Sequence, residues 1–277
     1  MALRLVPGLC VTLLACLLSI GAQAAPQRVV SLAPFLTDMT LLLGAGDQLV
    51  GVLDDGKLAP ELAQVPRVGA YQALSAESIV AQQPDLVLAW TSGNPPELLQ
   101  SLRGWGIQVA QFDPQSLDEI ASVTQSVGQL LGKPERTREL LQDYRQQLQA
   151  LKPSADLPTP RVFIQLWNNP IYTVAGEQLL SDALHYCGGQ NVFADLPGLA
   201  PQVGREGVLA ANPDVIIVLA RQSAVAKSWL DEWRRFPELK AVADNHLYVL
   251  PGGHLVRPTT QVVEGVAELC ALVAAQR

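Results

Sequence analysis

The sequence predicts an α/β protein of two similar lobes, each with a parallel sheet flanked by helices, joined by one long rigid α-helix with a cleft between the lobes. Three observations support this prediction. Residues 77–89 repeat as residues 206–218 at a constant offset of 129, without a gap. Each copy ends in an unbroken apolar run, which is typical of a strand buried on both faces of a sheet. A single long helical segment lies between the copies, at residues 134–153.

The first 24 residues differ from the rest of the chain. Arg4 is their only charged residue, an apolar stretch follows it, and Ala22-Gln23-Ala24 has the small-x-small pattern of a signal peptidase site. We therefore expect residues 1–24 to be a cleaved signal peptide and the mature protein to be exported. Two alternatives are a retained membrane anchor, for which the apolar run is short, and lipoprotein processing at Cys16.

Each copy of the repeat also has a matching segment upstream. Residues 28–32 and 161–165 both begin with Arg and continue as apolar strands that lead into a helix. Pro84-Asp85 and Pro213-Asp214 end the helix of each copy before its buried strand. These features predict an N-terminal lobe at residues 25–133 and a C-terminal lobe at residues 154–277. The alternative is a coincidence between generic strand and helix units, because such elements are common.

The connecting segment has the pattern of one amphipathic helix. Its apolar residues recur at helical spacing among Glu, Arg and Gln: Leu140, Leu141, Tyr144, Leu148 and Leu151. Pro134 lies near its start and Pro153 at its end, as is typical of helix boundaries. At about 1.5 Å per residue the helix would be roughly 28 Å long, enough to run across both lobes and to limit hinge motion.

The composition excludes several classes of protein. With 49% hydrophobic and 16% charged residues over 277 positions, the chain is not disordered. Nucleic acid is not expected as a partner, since the net charge is −7 and no basic run interrupts it. After the signal, no run of about 18 apolar residues occurs, so we expect no direct insertion of the mature chain into a membrane.

The sequence lacks the motifs of common enzyme and metal sites. We find no Walker loop, no Gly-x-Ser-x-Gly elbow and no His-Glu-x-x-His pair, and the three histidines, His185, His246 and His254, are scattered. We therefore expect no catalytic residues, no metal site and no cofactor. The alternative from this class is an exported hydrolase that uses Asp55, His254 or a pair of carboxylates.

The mature chain retains two cysteines, Cys187 and Cys270. An even number of cysteines in an exported protein favours a disulfide, because the compartment is oxidising. Two buried free thiols are the alternative.

Candidate ligand contacts follow the predicted strands, where open parallel sheets bind their ligands. Trp90 follows the apolar run at residues 86–89, Trp167 and Tyr172 follow the strand at 162–165, and Tyr71 precedes the helix of the first repeat. His254 and Arg257 share a Gly-rich loop at residues 251–258. Each aromatic could equally be packing, but together they favour a shared cleft. The remaining tryptophans, Trp105, Trp229 and Trp233, are expected to pack in helices.

Four segments, at residues 28–34, 43–52, 74–80 and 84–90, resemble the periplasmic solute-binding proteins that have a rigid helical connection between two lobes. That family serves ABC importers of cobalamin, haem and ferric siderophores. The similarity extends over essentially all of the mature chain. Residues 89–94, 161–165 with Asn169-Pro170, 187–193, 201–206 and 268–270 are similar to the cobalamin branch.

The resemblance implies a non-enzymatic periplasmic protein, monomeric, that binds cobalamin as a transported ligand and delivers it to the permease dimer of an ABC importer in the inner membrane. It implies ligand contacts at these residues: Tyr71, Trp90, Trp167, Tyr172, Leu199, Gly253, His254, Leu255, Val256 and Arg257. Asp55 joins this set where better-known members carry a Tyr, and Gly253 stands where they carry an acidic residue. We also expect His254 to approach the cobalt face.

The resemblance implies three further features. Cys187 and Cys270 match the disulfide of the cobalamin branch. Glu77 and Glu206 match two surface carboxylates, one in each lobe, that dock on the permease. Their simpler explanation is that Glu in the first turn of a helix is stabilised by the helix dipole. Haem or ferric siderophore is the alternative ligand, although haem carriers place a ligating Tyr where this chain has Ala70, one residue before Tyr71.

Overall fold

The computed structural model describes residues 25–56, 59–71, 73–154, 157–220 and 223–276. The expected signal peptide and Cys16 lie outside the described residues. Within the described part, no helix is both long enough and apolar enough to span a bilayer.

The described residues of the first lobe form six strands and four α-helices before the connecting helix. In chain order they are β1 (Val29–Ser31), α1 (Pro34–Leu42), β2 (Leu49–Val52), β3 (Gly69–Ala70), β4 (Ala73–Leu74), α2 (Ala76–Ala81), β5 (Leu86–Trp90), α3 (Pro96–Gly104), β6 (Gln108–Phe112) and α4 (Leu117–Leu130). Short 3-10 helices lie at Gly46–Gln48 and Pro60–Leu62. The main sheet has the order β2-β1-β5-β6 and is parallel throughout, while β3 and β4 form an antiparallel hairpin.

The connecting helix and the second lobe follow. The elements are α5 (Pro134–Leu151), β7 (Arg161–Gln165), β8 (Trp167–Asn168), β9 (Ile171–Tyr172), α6 (Leu179–Tyr186), β10 (Gln190–Asn191), β11 (Gln202–Val203), α7 (Arg205–Ala211), β12 (Val215–Leu219), α8 (Ser223–Trp233), α9 (Lys240–Ala243), β13 (Leu247–Leu250) and α10 (Val262–Ala274). The main sheet has the order β10-β7-β12-β13 and is parallel. A small antiparallel sheet has the order β11-β9-β8.

The two main sheets have the same topology. When the four strands of each main sheet are counted in chain order, the first strand lies between the second and the third. The fourth strand forms one edge of the sheet. The sequence repeat falls on α2 with β5 and on α7 with β12, the third strand of each sheet. The predicted fold of two similar parallel-sheet lobes is therefore confirmed.

The apolar run of each repeat is buried on both faces of its sheet. Residues 86–89 and 215–218 have no exposed surface. Leu86 and Leu88 enter the hydrophobic core on one face, whereas Val87 and Ala89 enter the core on the other. Because alternate residues of a strand point to opposite faces, both sets must be apolar, and this produces the unbroken run.

Both copies use an aspartate to hold the start of the first strand. Asp85 Oδ2 accepts hydrogen bonds from the backbone N–H groups of Gln27 and Arg28, at 3.0 and 3.1 Å. Asp214 Oδ2 accepts one from the N–H of Arg161 at 2.8 Å. The Pro-Asp pair of the repeat thus ends a helix and fixes a neighbouring strand.

An arginine at or next to the start of the first strand of each lobe binds the end of the helix of the repeat. The Arg28 guanidinium donates to the carbonyls of Gln82 and Gln83, and Arg161 donates to the carbonyl of Ala211 at 2.9 Å. These carbonyls lie at the ends of α2 and α7, where a helix leaves its last C=O groups without intrahelical partners. The matching arginines of the two copies therefore have the same structural role.

Helix α5 begins at the predicted proline and ends within two residues of the predicted boundary. Its Tyr144 and Leu148 belong to the core of the second lobe, and Leu140 packs against the core of the first. Gly128 lets α4 approach α5 closely, since a Cβ atom there would lie 1.8 Å from Thr137 Oγ1. The two helices consequently form one unit at the junction between the lobes.

Helix α4 also joins the two lobes, which the sequence did not predict. Leu117 and Ile120 in its first turns are buried in the core of the second lobe. The Leu117 carbonyl accepts a hydrogen bond from Tyr144 Oη at 2.9 Å, and its N–H donates to Asp182 Oδ2 of α6 at 2.8 Å. Two helices, rather than the connecting helix alone, therefore hold the lobes together.

The expected disulfide links Cys187, at the end of α6, to Cys270 in α10. Trp229 and Trp233 of α8 are buried, as expected. The expectation for Trp105 is wrong: this residue follows α3, and 59% of its surface is exposed. Helical context alone does not determine which face a residue occupies at the end of a helix.

Candidate functional site

A cavity of about 390 Å³ lies between the two lobes. Most of its lining is apolar, with a few polar and charged groups, as is typical of small-molecule sites. The first lobe contributes Pro34, Phe35, Asp55, Tyr71, Trp90, Ser92, Asp113, Pro114 and Gln115. The second lobe contributes Leu166, Val174, Gln178, Leu179, Leu180, Leu199, Ala200, Leu255, Val256, Arg257 and Pro258.

The structure brings seven of the eleven expected contact residues to the cavity lining: Asp55, Tyr71, Trp90, Leu199, Leu255, Val256 and Arg257. Of the described residues expected there, Trp167, Tyr172, Gly253 and His254 are not part of the lining. Contact of any of these residues with a ligand remains a prediction.

The Trp90 indole is held from three sides. Its ring makes edge-to-face contacts with Phe35 and Tyr71, each with a centroid distance of 6.2 Å. Its Nε1 donates a hydrogen bond to Asp113 Oδ1 at 2.8 Å. An aromatic ring fixed in this way offers a flat apolar surface to a ligand at little entropic cost.

The turn after β5 fixes the backbone of Trp90. The Trp90 N–H donates to Asn94 Oδ1 at 2.7 Å, and Asn94 Nδ2 donates to the Leu32 carbonyl at 3.0 Å. Gly93 is required because a Cβ atom there would lie 1.9 Å from the indole ring. The sequence Trp-Thr-Ser-Gly-Asn therefore shapes this part of the cavity.

Arg257 connects the two sides of the cavity. From the loop between β13 and α10 in the second lobe, its guanidinium donates to Asp38 Oδ2 at 2.6 Å and to Asp55 Oδ2 at 2.5 Å, both in the first lobe. Burial opposes the charge of Arg257, but the hydrogen bonds and charges of Asp38 and Asp55 outweigh burial and raise its pKa. We call Arg257, Asp38 and Asp55 the ion triad.

The Tyr71 phenol lines the cavity near the ion triad. Partial burial raises its pKa, the Asp55 charge raises it further, and the Arg257 charge acts in the opposite direction. Tyr71 is therefore a protonated phenol at neutral pH and is able to donate a hydrogen bond.

Trp167 and Tyr172 lie in the β8–β9 hairpin. The Trp167 side chain is 57% exposed and makes an edge-to-face contact with Trp229 at 5.7 Å between centroids. Asn168 of the same hairpin accepts from Gln165 Nε2 at 2.9 Å and donates to Glu232 Oε1 at 2.7 Å. The amide of Asn168 thus has partners within the protein.

His254 lies in the loop before Arg257 and faces Glu264. Its Nε2 atom is 3.4 Å from Glu264 Oε2 in the first turn of α10, and both side chains are more than half exposed. The hypothesis that this histidine approaches a bound ligand remains a prediction, as does the corresponding one for Gly253.

The two expected docking carboxylates occupy equivalent exposed positions. Glu77 lies in the first turn of α2 and Glu206 in the first turn of α7. Hydrogen bonds from its own backbone N–H and from the Ser75 hydroxyl, at 3.0 Å, lower the pKa of Glu77. The cap of α7 is Gly204, which has no side chain for this purpose.

Asp113 and Asp38 were not among the residues predicted from the sequence. Asp113 directly follows β6, so the strand-end argument that identified Trp90 would also have found it. Asp38 lies within α1 and contacts a residue 219 positions later, and no local pattern indicates such a contact.

The periplasmic binding protein family model matches residues 29–252. A Vitamin B12-binding protein of Vibrio parahaemolyticus is 33% identical over 250 residues, 90% of each chain. The crystal structure of the periplasmic Vitamin B12 binding protein BtuF of Vibrio cholerae has a TM-score of 0.82 at 33% identity, covering 91% of this chain and 98% of its own. A periplasmic heme-binding protein, RhuT from Roseiflexus, has the same fold at 24% identity, with a TM-score of 0.76 over 91% and 99% of the chains.

Proposed function

This chain belongs to the periplasmic binding protein family, and from that premise we propose that it captures cobalamin between its lobes and delivers it to an ABC importer of the inner membrane. The observation that carries the proposal is 33% identity, over nine-tenths of both chains, to a relative named for this ligand. In this proposal the protein acts in the periplasm after removal of residues 1–24, and it makes and breaks no bonds of the ligand.

The apolar part of the cavity suits the edge of a corrin ring. Phe35, Trp90, Leu199 and Leu255 provide aromatic and aliphatic surface from both lobes. A ring bound between these side chains would bury apolar area on both sides, which is the main favourable contribution to binding.

The polar part suits ligand amides. Asp113 uses one carboxylate oxygen for the Trp90 indole and retains a second acceptor, and Gln115 and Gln178 also line the cavity. Carboxylates accept hydrogen bonds from amide N–H groups, and the side-chain amides of a corrinoid supply many such donors.

The charges lining the cavity favour cobalamin over haem. Among the described residues of the lining, Arg257 is the one cationic side chain, and two carboxylates already share its charge. Among the described lining residues, the propionate groups of haem would find Asp55 and Asp113 and no cation besides Arg257. An anionic ligand is therefore disfavoured by the electrostatics of this cleft.

We further propose that Glu77 and Glu206 dock on the permease dimer. Both carboxylates are exposed, and both lie in the first turn of the helix of the repeated unit. A two-fold permease presents the same charges twice, so a carboxylate on each lobe could pair with each half. The binding protein itself is proposed to be a monomer.

The proposal is tested by calorimetric titration of the protein purified from the periplasm, with cyanocobalamin and separately with hemin, while visible spectra are recorded. We expect saturable binding of one cyanocobalamin per chain and no Soret shift with hemin. A hemin complex with a Soret shift, together with no heat from cyanocobalamin, would contradict the proposal.

A matched pair of variants locates the binding to the cavity. Trp90→Ala removes a ring from the lining and should weaken cyanocobalamin binding by about tenfold or more. Trp105→Ala removes an exposed ring outside the lining and should leave the affinity unchanged. Equal affinities for the two variants would argue against binding at this cavity.

A further inference from the structure

Among ion pairs between described residues, those of the ion triad are the ones that join the two lobes. The other measured pairs, such as Arg205 with Glu232 and Lys240 with Asp214, lie within one lobe or within α5. Asp55 has only 8% of its side chain exposed, and Arg257 has 30%. Water therefore screens these charges less than it screens the surface pairs.

The second-lobe end of the triad is rigid. Leu255, two residues before Arg257, has 1% of its surface exposed and lies in the core of the second lobe. Gly265 of α10 lets it fit, because a Cβ atom at Gly265 would lie 2.6 Å from the Leu255 side chain. The Arg257 carbonyl accepts a hydrogen bond from the Thr259 N–H at 2.7 Å. Arg257 thus moves with its lobe.

The first lobe contributes two carboxylates to the ion triad, and they lie in different parts of that lobe. Asp38 lies in α1, whose first residues, Pro34 and Phe35, line the cavity, and Asp55 follows β2. The two carboxylates repel each other, and Arg257 of the other lobe offsets this repulsion because its guanidinium contacts both. The net electrostatic effect of the triad is attraction between the lobes across the cavity.

The cavity lies between two sets of contacts that join the lobes. Its lining includes residues 113–115 and 178–180, which adjoin the hydrogen bond between Leu117 and Asp182. The lining also includes Asp55 and Arg257. The triad therefore adds a second attachment between the lobes, apart from the one at α4.

We propose that Asp38 is a positioning residue for the ligand cavity. Asp38 does not line the cavity, but with Asp55 it holds Arg257 and so fixes the spacing of the two lobes around the ligand. This inference rests on the proposed binding of cobalamin. When the lobes are already held at the spacing that the ligand requires, the protein loses less conformational entropy on binding than it would with freely moving lobes. The bound ligand then dissociates more slowly.

The test is the dissociation rate of cyanocobalamin from Asp38→Asn, followed by tryptophan fluorescence at low and high salt. We expect dissociation about fivefold faster than from the wild type at low salt. The difference should shrink only in part at 1 M salt, because salt screens a partly buried pair less than an exposed one. Asp38→Glu, which keeps the charge, should dissociate at close to the wild-type rate.

A control and a ligand-free measurement complete the test. Asp231→Asn removes a carboxylate of α8 that pairs with Arg234, just after the helix, and it should leave dissociation unchanged. Spin labels at Ser101→Cys and Lys227→Cys, one in each lobe, should show a broader distance distribution in Asp38→Asn than in the parent without ligand.

Two results would overturn the inference: an unchanged distance distribution, or an unchanged or slower dissociation from Asp38→Asn. A wild-type protein that binds no cyanocobalamin would instead refute the proposed function, and the distance measurement would still decide whether the triad sets the spacing of the lobes.

Discussion

At the scale of single residues, the repeated aspartates show how one side chain can fix two elements. Asp214 accepts a hydrogen bond from the Arg161 N–H at 2.8 Å and one from Lys240 Nζ at 2.6 Å. Partial burial alone would raise the pKa of Asp214. The Lys240 hydrogen bond, the Arg161 N–H and the positive charges of both residues outweigh burial and lower this pKa.

The lowered pKa of Asp214 predicts how the stability of the fold depends on pH. A carboxyl whose pKa is lower in the folded than in the unfolded chain stabilises the fold above its unfolded pKa and loses that effect as pH falls through the folded pKa. Asp214→Asn should therefore reduce the Tm at pH 7 by about 2–4 °C. The reduction should disappear in strong acid.

Thermal unfolding between pH 2 and pH 7, followed by circular dichroism, measures this effect. Asp143→Asn makes the same change on the exposed face of α5 and should leave the Tm nearly unchanged. A reduction of equal size at all pH values would show that the Asp214 charge does not contribute.

Some residues of the site were predictable from local sequence, and others were not. Trp90 follows an apolar run, Tyr71 precedes the helix of the first repeat and Arg257 lies in a Gly-rich loop. These local features predict their position near the cleft. Asp38 lies on a helix with no distinguishing pattern. Its partner is set by the packing of two lobes, which local sequence does not encode.

At the scale of elements, the disulfide joins the end of α6 to α10 within the second lobe. It closes a loop of 83 residues, which in the chain-entropy model stabilises the fold by roughly 4 kcal/mol. Replacing both cysteines, as Cys187→Ser with Cys270→Ser, should lower the free energy of unfolding by this amount. Urea unfolding of the two proteins measures the difference, and equal midpoints would contradict the prediction.

Helix α5 was predictable because apolar spacing and two prolines specify it locally. The bridging role of α4 was not, because an amphipathic pattern shows that a face is buried but not which sheet covers it. The small β11-β9-β8 sheet was also missed, since strands of two residues are too short to show periodicity.

At the scale of the whole molecule, the two lobes present equivalent surfaces. Each sheet has the same strand order, and the helix that precedes its third strand carries an exposed glutamate in its first turn, Glu77 in one lobe and Glu206 in the other. The double variant Glu77→Arg with Glu206→Arg should bind cyanocobalamin as the wild type does and should abolish its uptake by cells. Uptake assays with labelled cobalamin measure the second effect.

The control variant for the docking test carries the same change in charge at two positions of α5. Glu135→Arg with Glu139→Arg alters two exposed carboxylates of α5, whose pairs with Arg138 and Arg136 contribute little to stability. Uptake should be normal in this control. Normal uptake by the Glu77 and Glu206 variant would rule out docking through these carboxylates.

The position of Leu117 and Ile120 determines where this protein can be divided. These two residues precede the connecting helix in the chain, yet they complete the core of the second lobe. A gene fragment that begins at residue 134 would encode that lobe with a gap in its interior. Val127 and Leu131, farther along the same segment, lie in the core of the first lobe. A chimaera that exchanges lobes between relatives must therefore match both cores to the α4 helix that it carries, wherever the junction is placed.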